Sequence, residues 1–147
     1  MDDKQLEARL FREWSQLVTE LERKGFDALS DRQKVFHDIW MLEAELNNGG
    51  FAQYMFNSTG DRGLAATEAL REVGAHSMAS ICERFFALLA EGTPASDQET
   101  RQAQLDESAE RMGEDAFEDA CAALEEEFYA GEDALRRLLA DYLLRER

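Results

Sequence analysis

Residues 47–61 read NNGGFAQYMFNSTGD. Asn and Gly tolerate the left-handed backbone that ends a helix, so Asn47, Asn48, Gly49 and Gly50 predict a sharp corner. Phe51, Tyr54 and Met55 lie three and four apart and share one face of a short helix, with Phe56 helping to close its end. Asn57-Ser58-Thr59-Gly60-Asp61 is a second corner, in which Ser, Thr or Asp is available to cap the next helix. The whole stretch, Gln53 included, reads as a structural motif: two corners holding a short aromatic helix against a core.

Helical periodicity extends outward on both sides. Upstream, Leu6, Leu10, Trp14, Leu17 and Leu21, widened by Phe11 and Val18, put one apolar stripe on a helix over 3–23, with Gly25 at its C-cap. Ser30 opens S-D-R-Q, a capping box with Gln33, and Val35, Phe36, Ile39, Trp40 and Leu46 mark the second helix up to the NNGG corner. Downstream, Leu64, Leu70 and Val73 predict a helix ending near Gly74. Met78, Ile81, Cys82, Phe85, Leu88 and Leu89 predict the next. Gly92-Thr93-Pro94 breaks the chain, and Ser96 with Glu99 forms a second capping-box pattern before a polar helix to about Met112. Phe117, Cys121, Leu124 and Phe128 mark one further helix; Leu135, Leu138, Leu139, Tyr142 and Leu143 mark the last, after Gly131. No strand pattern and no fixed-period repeat occurs. The expected fold is all-α, a single-domain bundle of seven or eight helices over 1–147, with 91–96 as a long connection inside it.

Composition bounds the function. The chain has 147 residues, 44% of them hydrophobic, enough for a core of its own. With 32 acids against 16 Lys and Arg the net charge is −16. A field of that sign repels nucleic acid and anionic membranes, and no Lys/Arg cluster offsets it, so direct nucleic-acid binding is not expected. No apolar run approaches the roughly 20 residues that cross a bilayer, and MDDKQLEARL is no secretory signal; a cytoplasmic protein is the expectation. Cys82 and Cys121 fall on apolar faces and read as buried thiols.

The charge is uneven. Residues 106–133 hold 12 acids and one base, Arg111. Glu107, Glu110, Glu114 and Glu118 step by three, four and four, which on a helix makes one ridge; Asp115 and Asp119 flank it, and Glu125, Glu126 and Glu127 extend it if the helices stay close. Like charges at these spacings cost a few tenths of a kcal/mol each. A carboxylate ridge resembles a row of DNA phosphates in sign, while a solvated helix face explains the same spacing without any function.

Enzyme chemistry finds no support. Two histidines, His37 and His76, occur without H-E-x-x-H or E-x-x-H, so neither metal nor other cofactor is expected; Glu72 and His76, four apart, read as a surface contact or helix cap. The glycine-rich corners lack the lysine of a phosphate loop, no G-x-S-x-G is present, and Cys82 has no histidine nearby in sequence.

The segment ELNNGGFAQYMFNSTGD, followed by EALREVGA, resembles the signature of a bacterial DNA-mimic-protein family of otherwise unknown function, whose best-known member is a Neisseria DNA mimic. The close likeness covers about residues 43–76, with a looser fit over 31–90. It implies an all-helical fold. It also implies that surface carboxylates occupy the DNA-binding face of a partner, a transcriptional regulator or nucleoid protein. The residues that would carry this are Glu107, Glu110, Glu114, Asp115, Glu118, Asp119, Glu125 and Glu126. Two other readings stay open: an interaction or immunity-type module using an apolar groove, and a small-molecule-binding protein or enzyme with a pocket near Asn47, Asn48, Gln53, Tyr54 and Asn57. An exposed apolar stripe on the first or last helix would support a homodimer.

Overall fold

Asp2 and Gln5 cap one another to start the chain: the Gln5 N–H donates to Asp2 Oδ1 at 2.8 Å and the Asp2 N–H to Gln5 Oε1 at 2.9 Å. The helix that follows, α1 (Asp3–Lys24), ends at Gly25, whose N–H returns to the Leu21 carbonyl. The computed structural model describes residues 1–145, and every regular element among them is helical. After a turn at Phe26–Ala28, the Ser30–Gln33 box is made in both directions, at 2.9 and 3.1 Å, and starts α2 (Asp31–Phe56). Then come α3 (Gly63–Glu72), α4 (His76–Phe86), α5 (Gln98–Met112), α6 (Glu114–Ala130) and α7 (Glu132–Arg145). The all-α expectation holds.

The first corner is narrower than the sequence predicts. Asn47, Asn48 and Gly49 stay helical, and only Gly50 departs, at φ 81° and ψ −173°. One residue suffices because the carboxylate of Glu125 on α6 accepts the Phe51 N–H, at 2.8 Å, and so caps the segment that restarts there. A β-carbon on Gly50 would stand 2.3 Å from that carboxylate, and the positive φ is itself unfavourable for any other L-residue. The predicted aromatic helix is therefore the last turn and a half of α2, bent off at Gly50.

That bend delivers the apolar side chains to the centre. Phe51 is fully buried, stacked on Phe85 of α4 at 4.6 Å and edge-on to Phe128 of α6 at 6.3 Å; burial of one such ring contributes about 1.5–3 kcal/mol. Tyr54, Met55, Leu46 and Leu42 join it, and one buried cluster draws on all seven helices, with α2 packed against α1, α3, α5 and α6.

Four local expectations fail. Phe11 and Leu64 are 64% and 52% exposed and face away from the core. The second corner folds as a short helical turn, Ser58–Arg62, and no side chain caps α3. The cap of α5 is Asp97, which accepts the Thr100 N–H at 2.9 Å, and not Ser96. Ser96 instead offers its carbonyl to Arg101, a residue that is wholly buried. The Arg101 guanidinium donates to the carbonyls of Met55, Asn57, Ala95 and Ser96 and pairs with Asp61 at 2.8 Å, so one cation ties both sides of the second corner to α5.

Candidate functional site

The acids of 106–133 divide into two sets with opposite environments. Asp106, Glu107 and Glu110 are exposed on α5, and Glu114, Asp115, Glu118, Asp119 and Glu126 are exposed on α6. None of these eight forms an ion pair or a side-chain hydrogen bond among the described residues. Four other acids of the same stretch are engaged. Glu125 is turned inward onto the Phe51 N–H, Glu127 pairs with Arg84 through two hydrogen bonds of 3.0 and 2.8 Å, Glu132 is held by Arg136 and by Asn47, and Asp133 pairs with Arg136 at 3.7 Å. Burial raises the carboxyl of Glu125 above its ordinary value, with the Phe51 N–H opposing; the Arg84 guanidinium lowers that of Glu127. Arg111, the one base of the stretch, donates to the Leu88 carbonyl at 3.0 Å and pairs with no acid among the described residues.

The single ridge that the spacing predicts is broken. Gly113, at φ 90°, ends α5 and starts α6, so Glu107 and Glu110 stand on one helix and Glu114 and Glu118 on the next. The two helices pack on each other. The inner side of α6 is made by Phe117, Cys121, Leu124 and Phe128, as their spacing predicts, which leaves Glu114, Asp115, Glu118 and Asp119 to solvent.

Local electrostatics favours only some of these positions. Glu114 and Asp115 lie in the first turn of α6, where the helix dipole and the free N–H groups stabilise negative charge by about 0.3–1 kcal/mol. Asp119 lies beyond that turn. Glu110 lies close to the C-terminal end of α5, the end that disfavours an anion. Those acids are kept without local compensation.

The NNGGF motif is occupied with the fold. Glu45 accepts hydrogen bonds from Gln53 (3.0 Å), Asn57 (3.1 Å) and Thr59 (3.0 Å), so three polar residues of the motif converge on one carboxylate. Gly49 lies under the Gln53 side chain: an added β-carbon would stand 1.9 Å from Gln53 Oε1. At Gly60 it would stand 2.4 Å from the Tyr54 carbonyl and 2.9 Å from Arg101 Nε. Tyr54 is buried, which raises its phenol pKa; Asn48 is exposed. The hydroxyl of Tyr129 donates to the Leu46 carbonyl just before the bend.

Sequence reasoning missed Glu45 and Arg101. Arg101, Gln104, Leu105 and Ser108 are the buried face of α5, a stripe with three polar members that hydropathy alone passes over. A third omission is Asp38, buried and bound by both Nε and Nη2 of Arg62, at 3.0 and 2.8 Å, with His37 Nδ1 at 3.1 Å. Burial works against its charge, but His37 and Arg62 outweigh it and hold the carboxyl below its ordinary value.

Cys82 and Cys121 are buried free thiols, as predicted; burial pushes each up to about 12. His76 is the exposed first residue of α4, and among the described residues no hydrogen bond or ion pair joins it to Glu72. Among the described residues no group of three or more His, Cys, Asp or Glu is placed to hold a metal ion, and no helix is long and apolar enough to cross a membrane.

No curated protein and no solved structure matches the chain. A protein-family model does, and it extends past the NNGGF segment through the acidic helices to the C-terminus. With residues 27–147 matched by the model described as DMP19-like protein, the chain belongs to that family.

Proposed function

We propose that this chain is a non-enzymatic DNA mimic of the cytoplasm, whose exposed carboxylates on α5 and α6 occupy the DNA-binding face of a transcriptional regulator or nucleoid protein. The observation that carries the reading is the set of eight acids, Asp106 to Glu126, that are exposed, unpaired and in part placed against local electrostatics. Family membership supports it. Four residues along a helix advance about 6 Å, so Glu114 and Glu118 stand at a separation on the scale of neighbouring phosphates on a DNA strand. Glu125 takes no part in this surface, because its carboxylate is engaged with Phe51.

Attraction of this kind speeds association and weakens steeply with salt. The test is a pull-down from host lysate at low and high salt. DNA-binding proteins should be retained at low salt and released by salt or by competing duplex DNA. The double variant Glu114→Lys/Glu118→Lys should abolish retention. A partner that survives high salt, or one that is no DNA-binding protein, would sink the reading.

A further inference from the structure

A groove of about 580 Å³ runs between α1, α2 and α7, on residues that the acidic surface does not use. Leu10, Ala44, Leu135 and Leu139 give it apolar walls, and the rings of Phe11 and Trp40 line it as well. That volume is in the range of small-molecule sites. Phe11 is 64% exposed, so the apolar surface is open to solvent.

One end of the groove is polar. Glu43 and Asn47 on α2 and Arg136 on α7 line it, with Lys4 and Glu7 of α1 cancelling each other in charge. Behind Glu43 stands Glu132, which accepts from Asn47 at 2.9 Å. Arg136 is shared among three carboxylates, at 3.4 Å from Glu43, 3.4 Å from Glu132 and 3.7 Å from Asp133. Even with Glu43 protonated, Glu132 and Asp133 outnumber Arg136, and an anionic ligand would worsen that shortfall. Moreover, Glu43 Oε2 is shielded from water and receives no hydrogen bond. That oxygen is also the one 3.4 Å from Arg136 Nη2, so turning it toward the groove exchanges one long ion pair for a new one.

We propose that this groove binds a small apolar amine, its apolar part against Leu10, Trp40 and Leu139 and its ammonium group at the Glu43 carboxyl. The amine brings positive charge to a carboxylate cluster served by one arginine and donates a hydrogen bond to Glu43 Oε2, which receives none, and aromatic rings favour a cation beside them. Burial, reinforced by the neighbouring Glu132 and opposed by Arg136, pushes the Glu43 carboxyl up to about 8. At neutral pH Glu43 therefore holds a proton that the ammonium displaces, and affinity rises with pH between 6 and 8.

Tryptamine is a suitable probe, with tryptophol and indole-3-propionate as its neutral and anionic counterparts, read by titration calorimetry and NMR shifts of the groove residues. The expected order is amine, then alcohol, then acid, with the amine at least tenfold tighter than the alcohol. Glu43→Gln should bring the amine down to the alcohol's affinity and leave the alcohol unchanged. Ala44→Trp, at an exposed helix position, should fill the groove and remove both. Equal or better binding of the acid, full amine affinity in Glu43→Gln, or no binding of any probe at millimolar concentration overturns the proposal. None of these outcomes bears on the mimic reading, which uses other helices.

Discussion

Carboxylates at the bend in α2 and carboxylates on the outside of α5 and α6 are the same chemical group in opposite employment. Around the bend, Glu45 gathers Gln53, Asn57 and Thr59, Glu125 caps Phe51, and Glu132 holds Asn47. On α5 and α6, Glu107, Glu110, Glu114 and Glu118 touch no donor among the described residues. A net charge of −16 therefore has two components. One is structural and would show in stability; the other is free and would show in binding.

Substitutions can separate the two. The largest stability loss is expected for Arg101→Ala, which leaves four carbonyls around the second corner without their donor and opens a cavity; about 3–5 kcal/mol should be lost in denaturant unfolding. Gly50→Ala comes next, at about 2–3 kcal/mol, from the unfavourable φ and the displaced Glu125 cap. A cost under 0.5 kcal/mol there would show that the bend is not a steric requirement.

Glu43 extends the comparison to pH. Its carboxyl is raised in the fold, to about 8 against an ordinary 4.5, so the folded state holds a proton that the unfolded state has released. Stability from this group is complete below about pH 4.5 and is lost as the pH rises to about 8. Glu43→Gln should remove that slope, leaving the variant more stable than the parent at pH 8 by on the order of 1–2 kcal/mol and little different at pH 5. Smallest of all is the effect of Glu114→Lys/Glu118→Lys on stability, expected within about 0.5 kcal/mol because both side chains are exposed and unpaired. The same double variant is the one expected to abolish partner retention. A large stability loss in it would erase the distinction between the two sets of acids.

Much of this protein was legible in one dimension. Apolar steps of three and four located every helix but α5, which was read from a capping pattern; the Ser30–Gln33 box and the Gly25 cap were read residue by residue, and NNGGF identified the family from a stretch of some thirty residues. These features are local: they depend on which side chains share a helix face and which backbone angles a residue tolerates. What decided the rest was contact between residues far apart in the chain. Only the tertiary structure placed Glu125 on the Phe51 N–H, 74 residues away, and Arg101 on the Met55 carbonyl, 46 residues away. It also split the acidic ridge at Gly113 and opened the groove beside Glu43. Whether a carboxylate is a free charge or a cap depends on which donor reaches it in space, and helical spacing carries no record of that.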